Sequence, residues 1–341
     1  MKTEKEIEKF IDSIKIPSDD EVEAAGVRFD RRIRQIRRRR WIAGGISSAA
    51  AVLLCGIVFA LVWGKEEDRE VVEVAKVAEI DRHVTVPTLV LSDGISLNLK
   101  KQETNSRLVG SNIQIAENHI TYDTVSKAQE IKYNTLIIPE GFTYDLTLAD
   151  GTRVTLNAGS RLKYPEEFVG DLREVELDGE AYFNVNKSKK PFEVNVSGSK
   201  IRVYGTQFNV KTIRQKKVVE TVLVEGKIGF KSPGKEEIQV TPGEQVSYDA
   251  ESGNVVVNPV DVQYATAWLD GVFKCRDKQL NLVLEDISTW YGVQFEPQID
   301  VTVIEVTMNL SKKTPIDEVI PFLERMTNCK FIKERGYYVV R

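Results

Sequence analysis

Hydrophobic positions follow four successive patterns along this chain, and each predicts a different element. Ile7, Phe10, Ile11 and Ile14 recur at i, i+3, i+4 and i+7, one face of a short helix that Pro17 ends. Ser18 with Asp19, Asp20 and Glu21 starts a second helix, its acids at the positive end of the dipole. Val22, Ala25, Phe29, Ile33 and Ile36 stripe that helix. The residues 41–63, from Trp41 to Trp63, carry no charged side chain. As a helix this run spans roughly 34 Å, enough for a hydrocarbon core of about 30 Å. Residues 64–84 are charged and valine-rich, which reads as a tether.

From about Thr85 the period becomes two. Residues 88–99 read as strand, Asp93-Gly94 turn, strand, and the phrase returns at 146–157 around Asp150-Gly151, two hairpins built alike. Further strand signals cover 173–177, 181–185, 192–196, 200–203, 207–210, 218–224, 227–230, 237–240, 245–248 and 255–257, with glycine-containing turns between them. Many short strands without a long helical pattern predict an all-β sandwich or a solenoid-like stack of sheets over 85–260. After Trp268 the period changes again. A strand at 272–274 precedes a helix striped by Leu280, Val283, Leu284, Ile287 and Trp290. Strands at 293–295 and 303–310 lead to a second helix with Ile316, Val319, Ile320, Leu323 and Met326 inward, and a hairpin around Gly336 closes the chain. That is β-α-β twice over, a small α+β module at 268–341.

Charge sharpens the organisation. The net charge of −4 is unevenly placed: residues 27–40 hold eight Arg against Asp30 alone, immediately before the uncharged run. Basic residues stay on the cytoplasmic side of a membrane. The expected fold class is therefore a single-pass membrane protein of the inner membrane. Its short α-helical tail (1–40) would be cytoplasmic, its transmembrane helix would be 41–63, and the β domain and C-terminal module would be periplasmic. About 40 residues bury little by themselves, so two exposed stripes suggest a partner that takes them in a groove.

The chemistry is sparse. His83 and His119 are the only histidines, and neither lies in a nucleophile, zinc or base motif. No Walker loop, GxSxG or GxGxxG opening a helix occurs, so no cofactor and no conventional enzyme is expected. Direct nucleic-acid binding is also not expected, since it needs a whole basic face. Of three cysteines, Cys275 and Cys329 could form a bridge in an oxidising compartment.

Residues 133–248 resemble the FecR family of membrane-spanning anti-sigma regulators, in the form abundant in Bacteroidetes. The matching phrases are Tyr133-Asn134-Thr135-Leu136 with Pro139-x-Gly141, LADGTRVTLNAGSRLKYPEEF (148–168), REVELDGEAYFNV (173–185), PFEV (191–194), VYGTQFNV (203–210), LVEG (223–226) and PGE (242–244). Trp268-Leu269-Asp270-Gly271 and Trp290-Tyr291-Gly292-Val293 are similar to the family's C-terminal domain, which is akin to the signalling module of secretins and TonB-dependent transducers.

This resemblance implies a transducer that relays the state of a TonB-dependent outer-membrane receptor, through that receptor's N-terminal signalling domain, to an extracytoplasmic-function sigma factor. Helical periodicity alone, not the resemblance, offers Phe10, Ile14, Phe29 and Ile33 as the contacts to the sigma factor. A lone uncharged helix transmits conformation poorly unless it pairs or is cut, so membrane proteases cutting near 41–63 are the expected switch. The alternative, a scaffold or secretion component, fits the β-α-β tail but leaves the two striped helices without a use. Some family members cut themselves at a Gly-Thr bond, which makes Gly205-Thr206 the candidate for self-cleavage by an N-to-O acyl shift. A glycine bulge between strands is the other reading of that pair.

Overall fold

Period-two alternation puts every second side chain on one face, and the chain buries those faces by laying two sheets against each other. The computed structural model describes residues 84–101, 106–107, 113–116, 119–122 and 131–341. These fall in one compact unit, Ala78–Arg341. Among the described residues one facing sheet has nine strands and the other ten. The chain passes back and forth between them. Tyr133–Ile138 lies in the first sheet, Tyr144–Thr147 and Arg153–Leu156 in the second, and Ser160–Pro165 and Arg173–Asp178 in the first. Glu180–Asn184 returns to the second, Phe192–Val196 and Ser199–Val203 to the first, and Gln207–Ile213 and Val218–Glu225 to the second. Strand order therefore rises across both sheets, except that Ser96–Asn98 pairs outside Thr88–Val90 at one edge of the first, giving a solenoid-like sandwich, here called the platform. Most pairs are antiparallel, but Arg173–Asp178 runs parallel to Phe192–Val196, and His119–Tyr122 parallel to Tyr144–Thr147.

Between the sheets lies one continuous core. Phe183 stacks on Phe208 with ring centroids 5.1 Å apart, and Phe192 tilts against Phe183 at 6.2 Å. Phe183, Phe192 and Phe208 have no exposed surface. Aromatic pairs of this kind add about 0.5–1.5 kcal/mol beyond the area they bury.

The two repeated turns are alike to the level of single hydrogen bonds. In the first, Leu91 N–H donates to Ile95 O, Gly94 N–H to Leu91 O, and Ile95 N–H to the Asp93 carboxylate. In the second, Leu148 N–H donates to Thr152 O, Gly151 N–H to Leu148 O, and Thr152 N–H to the Asp150 carboxylate. Gly94 and Gly151 sit at φ +83° and +80°, where a side chain is strained.

After Pro259 the chain forms α1 (Val262–Thr266), the strand Val272–Gln279, α2 (Leu280–Tyr291), the strands Gln294–Pro297 and Glu305–Ser311, α3 (Ile316–Thr327), and the strands Phe331–Lys333 and Tyr337–Val340. These last strands form the hairpin around Gly336, and Gln294–Pro297 joins it in parallel. Val272–Gln279 pairs separately with Glu305–Ser311. This C-terminal module thus holds two small sheets and its own core. Leu280, Val283, Leu284, Ile287 and Trp290 are the buried residues of α2, the stripe expected of it. In α3, Val319, Ile320 and Leu323 are buried, whereas Met326, expected inward, is 39% exposed.

Two expectations are corrected. No helix among the described residues is long and apolar enough to cross a membrane. The longest, α2 and α3, have 12 residues each. That is about 18 Å of helix against a hydrocarbon core of about 30 Å. The expected span at 41–63 and the helical tail at 1–40 lie outside the described residues, as does the tether at 64–84 apart from Val84. The single-pass membrane fold class and the inner-membrane localisation built on it are therefore not upheld; the described protein is β-rich with three short helices. Second, Cys275 and Cys329 are both free and buried. The Cys275 thiol donates to Val306 O at 3.4 Å and the Cys329 thiol to Thr327 O at 3.6 Å.

Candidate functional site

Where the platform meets the C-terminal module there is a cleft of about 600 Å³. One wall is the strand Val272–Gln279, all eight residues of which line it. That strand pairs only with Glu305–Ser311 among the described residues, so its other edge is open. The opposite wall comes from the platform strands Gln207–Ile213 and Val218–Glu225, and α1 closes one end with Tyr264. Lys274 Nζ and Arg276 Cζ lie 4.8 and 5.0 Å from the centre of the Tyr264 ring. An open strand edge beside a cleft can accept an extended peptide by main-chain pairing.

A charged network occupies the inner end of the cleft. Asp286 of α2 accepts from Lys211 of the platform at 2.6 Å, and from Lys278 of its own module at 2.5 Å. Lys211 also lies 3.8 Å from Glu180. Glu180 accepts from Asn157 at 2.9 Å and Asn209 at 3.0 Å, and Asn209 in turn accepts from the Trp268 indole N–H at 3.2 Å. Burial alone would push the Asp286 carboxyl up, but Lys211 and Lys278 hold it below its ordinary value. Burial would likewise lower the Lys211 ammonium, and Asp286 and Glu180 more than reverse that. Glu220 and Glu285 beside them are raised, chiefly by burial.

The Gly205–Thr206 peptide lies elsewhere on the platform. Gly205 has φ +149°, and a Cβ there would fall 2.4 Å from Lys187 Cγ and 2.9 Å from Lys187 Cα. Thr206 is buried and its hydroxyl donates to Lys227 O at 3.0 Å. At Gly226, φ +102°, a Cβ would come 2.8 Å from Thr206 Oγ1 and 3.1 Å from Gly205 O. Two glycines therefore make room for this one peptide. The strand register shifts immediately after it, between Gln207 and Phe208, which is the geometry of a bulge. Among the described residues no ionisable side chain hydrogen-bonds to the Thr206 hydroxyl, whose proton is committed to a neutral carbonyl.

Phe10, Ile14, Phe29 and Ile33, the residues expected to contact a sigma factor, lie outside the described residues. Gly205 and Thr206 come just before the strand whose Asn209 and Lys211 line the cleft, but neither of them lines it. The Lys211–Asp286–Lys278 network was not foreseen. Its only trace in the sequence is polar residues (Glu180, Asn209) at strand positions inside otherwise apolar phrases.

Residues 134–229 match the family model described as FecR protein, and residues 272–340 the model described as FecR, C-terminal. No match is found among curated proteins. Two crystal structures of a proposed anti-sigma factor from Parabacteroides distasonis, at 1.65 and 2.50 Å resolution, are similar to this chain. In each the identity is 28% and the TM-score 0.57, over 61% of this chain and 98% of the other.

Proposed function

From the premise that this chain belongs to the FecR family and is an anti-sigma factor and signal transducer, we propose that it relays the state of a TonB-dependent receptor to an extracytoplasmic-function sigma factor. Residues 1–40 hold the sigma factor through the faces of Phe10, Ile14, Phe29 and Ile33. The receptor's signalling domain is read at the junction of platform and C-terminal module. The observation that carries the second half is the open edge of Val272–Gln279 facing a cleft built by both parts. A segment that adds to this edge contacts the platform as well as the module, so its presence can change how the two sit together. The same edge would have no such reach if it faced solvent.

The test pairs the two ends in the full chain. A transcriptional reporter for the cognate sigma factor is followed while the gene is deleted and then complemented. Complementation is expected from the native chain. It is expected to fail with Phe10→Asp and Ile14→Asp, through loss of sigma binding, and with Arg276→Pro, which blocks strand addition at the open edge, through loss of response to the inducer. A reporter indifferent to deletion of the gene would remove the proposal.

A further inference from the structure

An ion pair shared by two modules ordinarily resists separation, because each partner would be left as an isolated, poorly solvated charge. The Lys211–Asp286 pair is arranged otherwise. Asp286 has a second lysine, Lys278, from its own module. Lys211 has a second carboxylate, Glu180, from its own platform, and faces Glu220 directly across the strand pair. Asn209, which accepts from Trp268, keeps Glu180 as a platform partner for its amide. Every group on this network that loses an intermodule contact, the Trp268 indole excepted, retains a partner on its own side.

The remaining intermodule contacts are of the same separable kind. The two hydrophobic cores are distinct, and Tyr182 is the platform side chain packed against the module's core. A backbone bond from the turn after the strand Tyr133–Ile138 reaches the module, from Gly141 N–H to Thr289 O at 2.9 Å. Lys216 donates to Gln279 at 2.9 Å on an exposed surface. The connection is short and turns sharply. α1 lies against the platform strand Val218–Glu225, while Trp268, in the 3-10 turn Ala267–Asp270 that follows, is part of the module's core. Gly271 caps that turn at φ +68°.

We propose that Asp286 is an exchangeable latch: the C-terminal module swings off the platform about residues 266–271, Asp286 passing from two lysines to Lys278 alone while Lys211 falls back on Glu180 and Glu220. Opening this way strands no charge, widens the cleft and leaves both cores folded. Lys278 is thus the residue that makes opening cheap, and Lys211 the one that keeps it closed. Removing Lys211 therefore eases opening and removing Lys278 does not, a difference that a merely structural pair of lysines would not show.

Hydrogen exchange of the full chain, read at single amides, tests this. The Gly141 amide, bonded across the junction, is expected to exchange at least tenfold faster than the amides of Val194 in the platform core and Leu323 in the module core. Lys211→Met is expected to speed Gly141 exchange about a further tenfold without moving Val194 or Leu323. Lys278→Met is expected not to speed it, because opening would then leave Asp286 bare. Val194 and Leu323 show in the same experiment whether a variant is folded, and Lys278→Gln replaces Lys278→Met if Leu323 loses protection. Gly141 exchanging in step with both cores, or speeding equally in the two lysine variants, would overturn the latch.

Discussion

Arg173 tests how the platform is locked together. Its guanidinium is 3% exposed and serves three acceptors on two different loops. It donates to the Asp150 carboxylate at 2.5 Å, to Asn186 O at 3.0 Å, and to Lys190 O at 3.2 and 2.9 Å, with the guanidinium 5.4 Å from the centre of the Phe192 ring. The Asp150 carboxylate also accepts from Thr152 N–H at 2.9 Å and Thr152 Oγ1 at 2.7 Å. One side chain therefore ties the second repeated turn to the 186–190 loop, the loop that Gly205 packs against. In Arg173→Lys a single ammonium cannot reproduce the planar fork. Each buried acceptor it leaves unmatched costs about 1–3 kcal/mol, so with one or two lost the expected destabilisation is roughly 2–4 kcal/mol. Arg173→Met also removes the charge facing Asp150, and breaking such a pair costs about 3–5 kcal/mol. Urea unfolding of the full chain, followed by aromatic fluorescence, reads the effect. With a slope of about 2–3 kcal/mol per molar, the midpoint should fall by roughly 1 M in Arg173→Lys and further in Arg173→Met. Asp150→Asn is expected to add little on top of Arg173→Met. A midpoint unchanged in Arg173→Met, or strict additivity of the two substitutions, would refute the lock.

Other consequences follow from the same geometry. Gly205→Ala places a methyl against Lys187 at a backbone angle unsuited to it, and is expected to cost about 2–5 kcal/mol from strain and overpacking together, read as a lowered melting point. Thr206→Val removes the bond to the Lys227 carbonyl at nearly constant volume and is expected to cost about 1–3 kcal/mol. Because the hydroxyl bonds to a carbonyl and to no base among the described residues, the purified chain is expected to run as one intact band on a denaturing gel; split bands that vanish in Thr206→Val would instead establish self-cleavage. Glu193 is 1% exposed and bonded to Lys200 at 2.7 Å and Arg202 at 2.9 Å. Burial pushes its carboxyl up, but those two cations hold it below its ordinary value of 4.5. Its contribution is therefore present above pH 4.5 and lost as pH falls through the lowered value. Glu193→Gln should be less stable than the native chain at neutral pH, with the gap closing in acid; a gap constant with pH would contradict this.

What the sequence made legible was local. Asp-Gly between alternating runs specified both repeated hairpins, because turn chemistry and strand period act over a few residues. The α2 stripe was legible for the same reason, its five apolar positions falling on one helical face. Met326 was misassigned because periodicity says which face a residue shares, not where that face stops being covered at a helix end. The strands Tyr133–Ile138 and Ser160–Pro165 went unassigned, the latter because charged Arg161 and Lys163 alternate with its buried positions. Parallel pairing of Arg173–Asp178 with Phe192–Val196 was invisible, since a period of two carries no strand direction. The Lys211–Asp286 pair joins residues 75 apart, and nothing local marks either as a partner of the other. The cleft exists only once those distant strands are assembled.

The most direct test of the anti-sigma role is equilibrium binding between the full chain and the extracytoplasmic-function sigma factor whose regulon changes when the gene is deleted. A saturable one-to-one complex is expected, weakened at least tenfold when Phe10, Ile14, Phe29 and Ile33 are changed to Asp and unaffected by Arg173→Lys. Binding no sigma factor, or binding one equally well without those four side chains, would contradict the account.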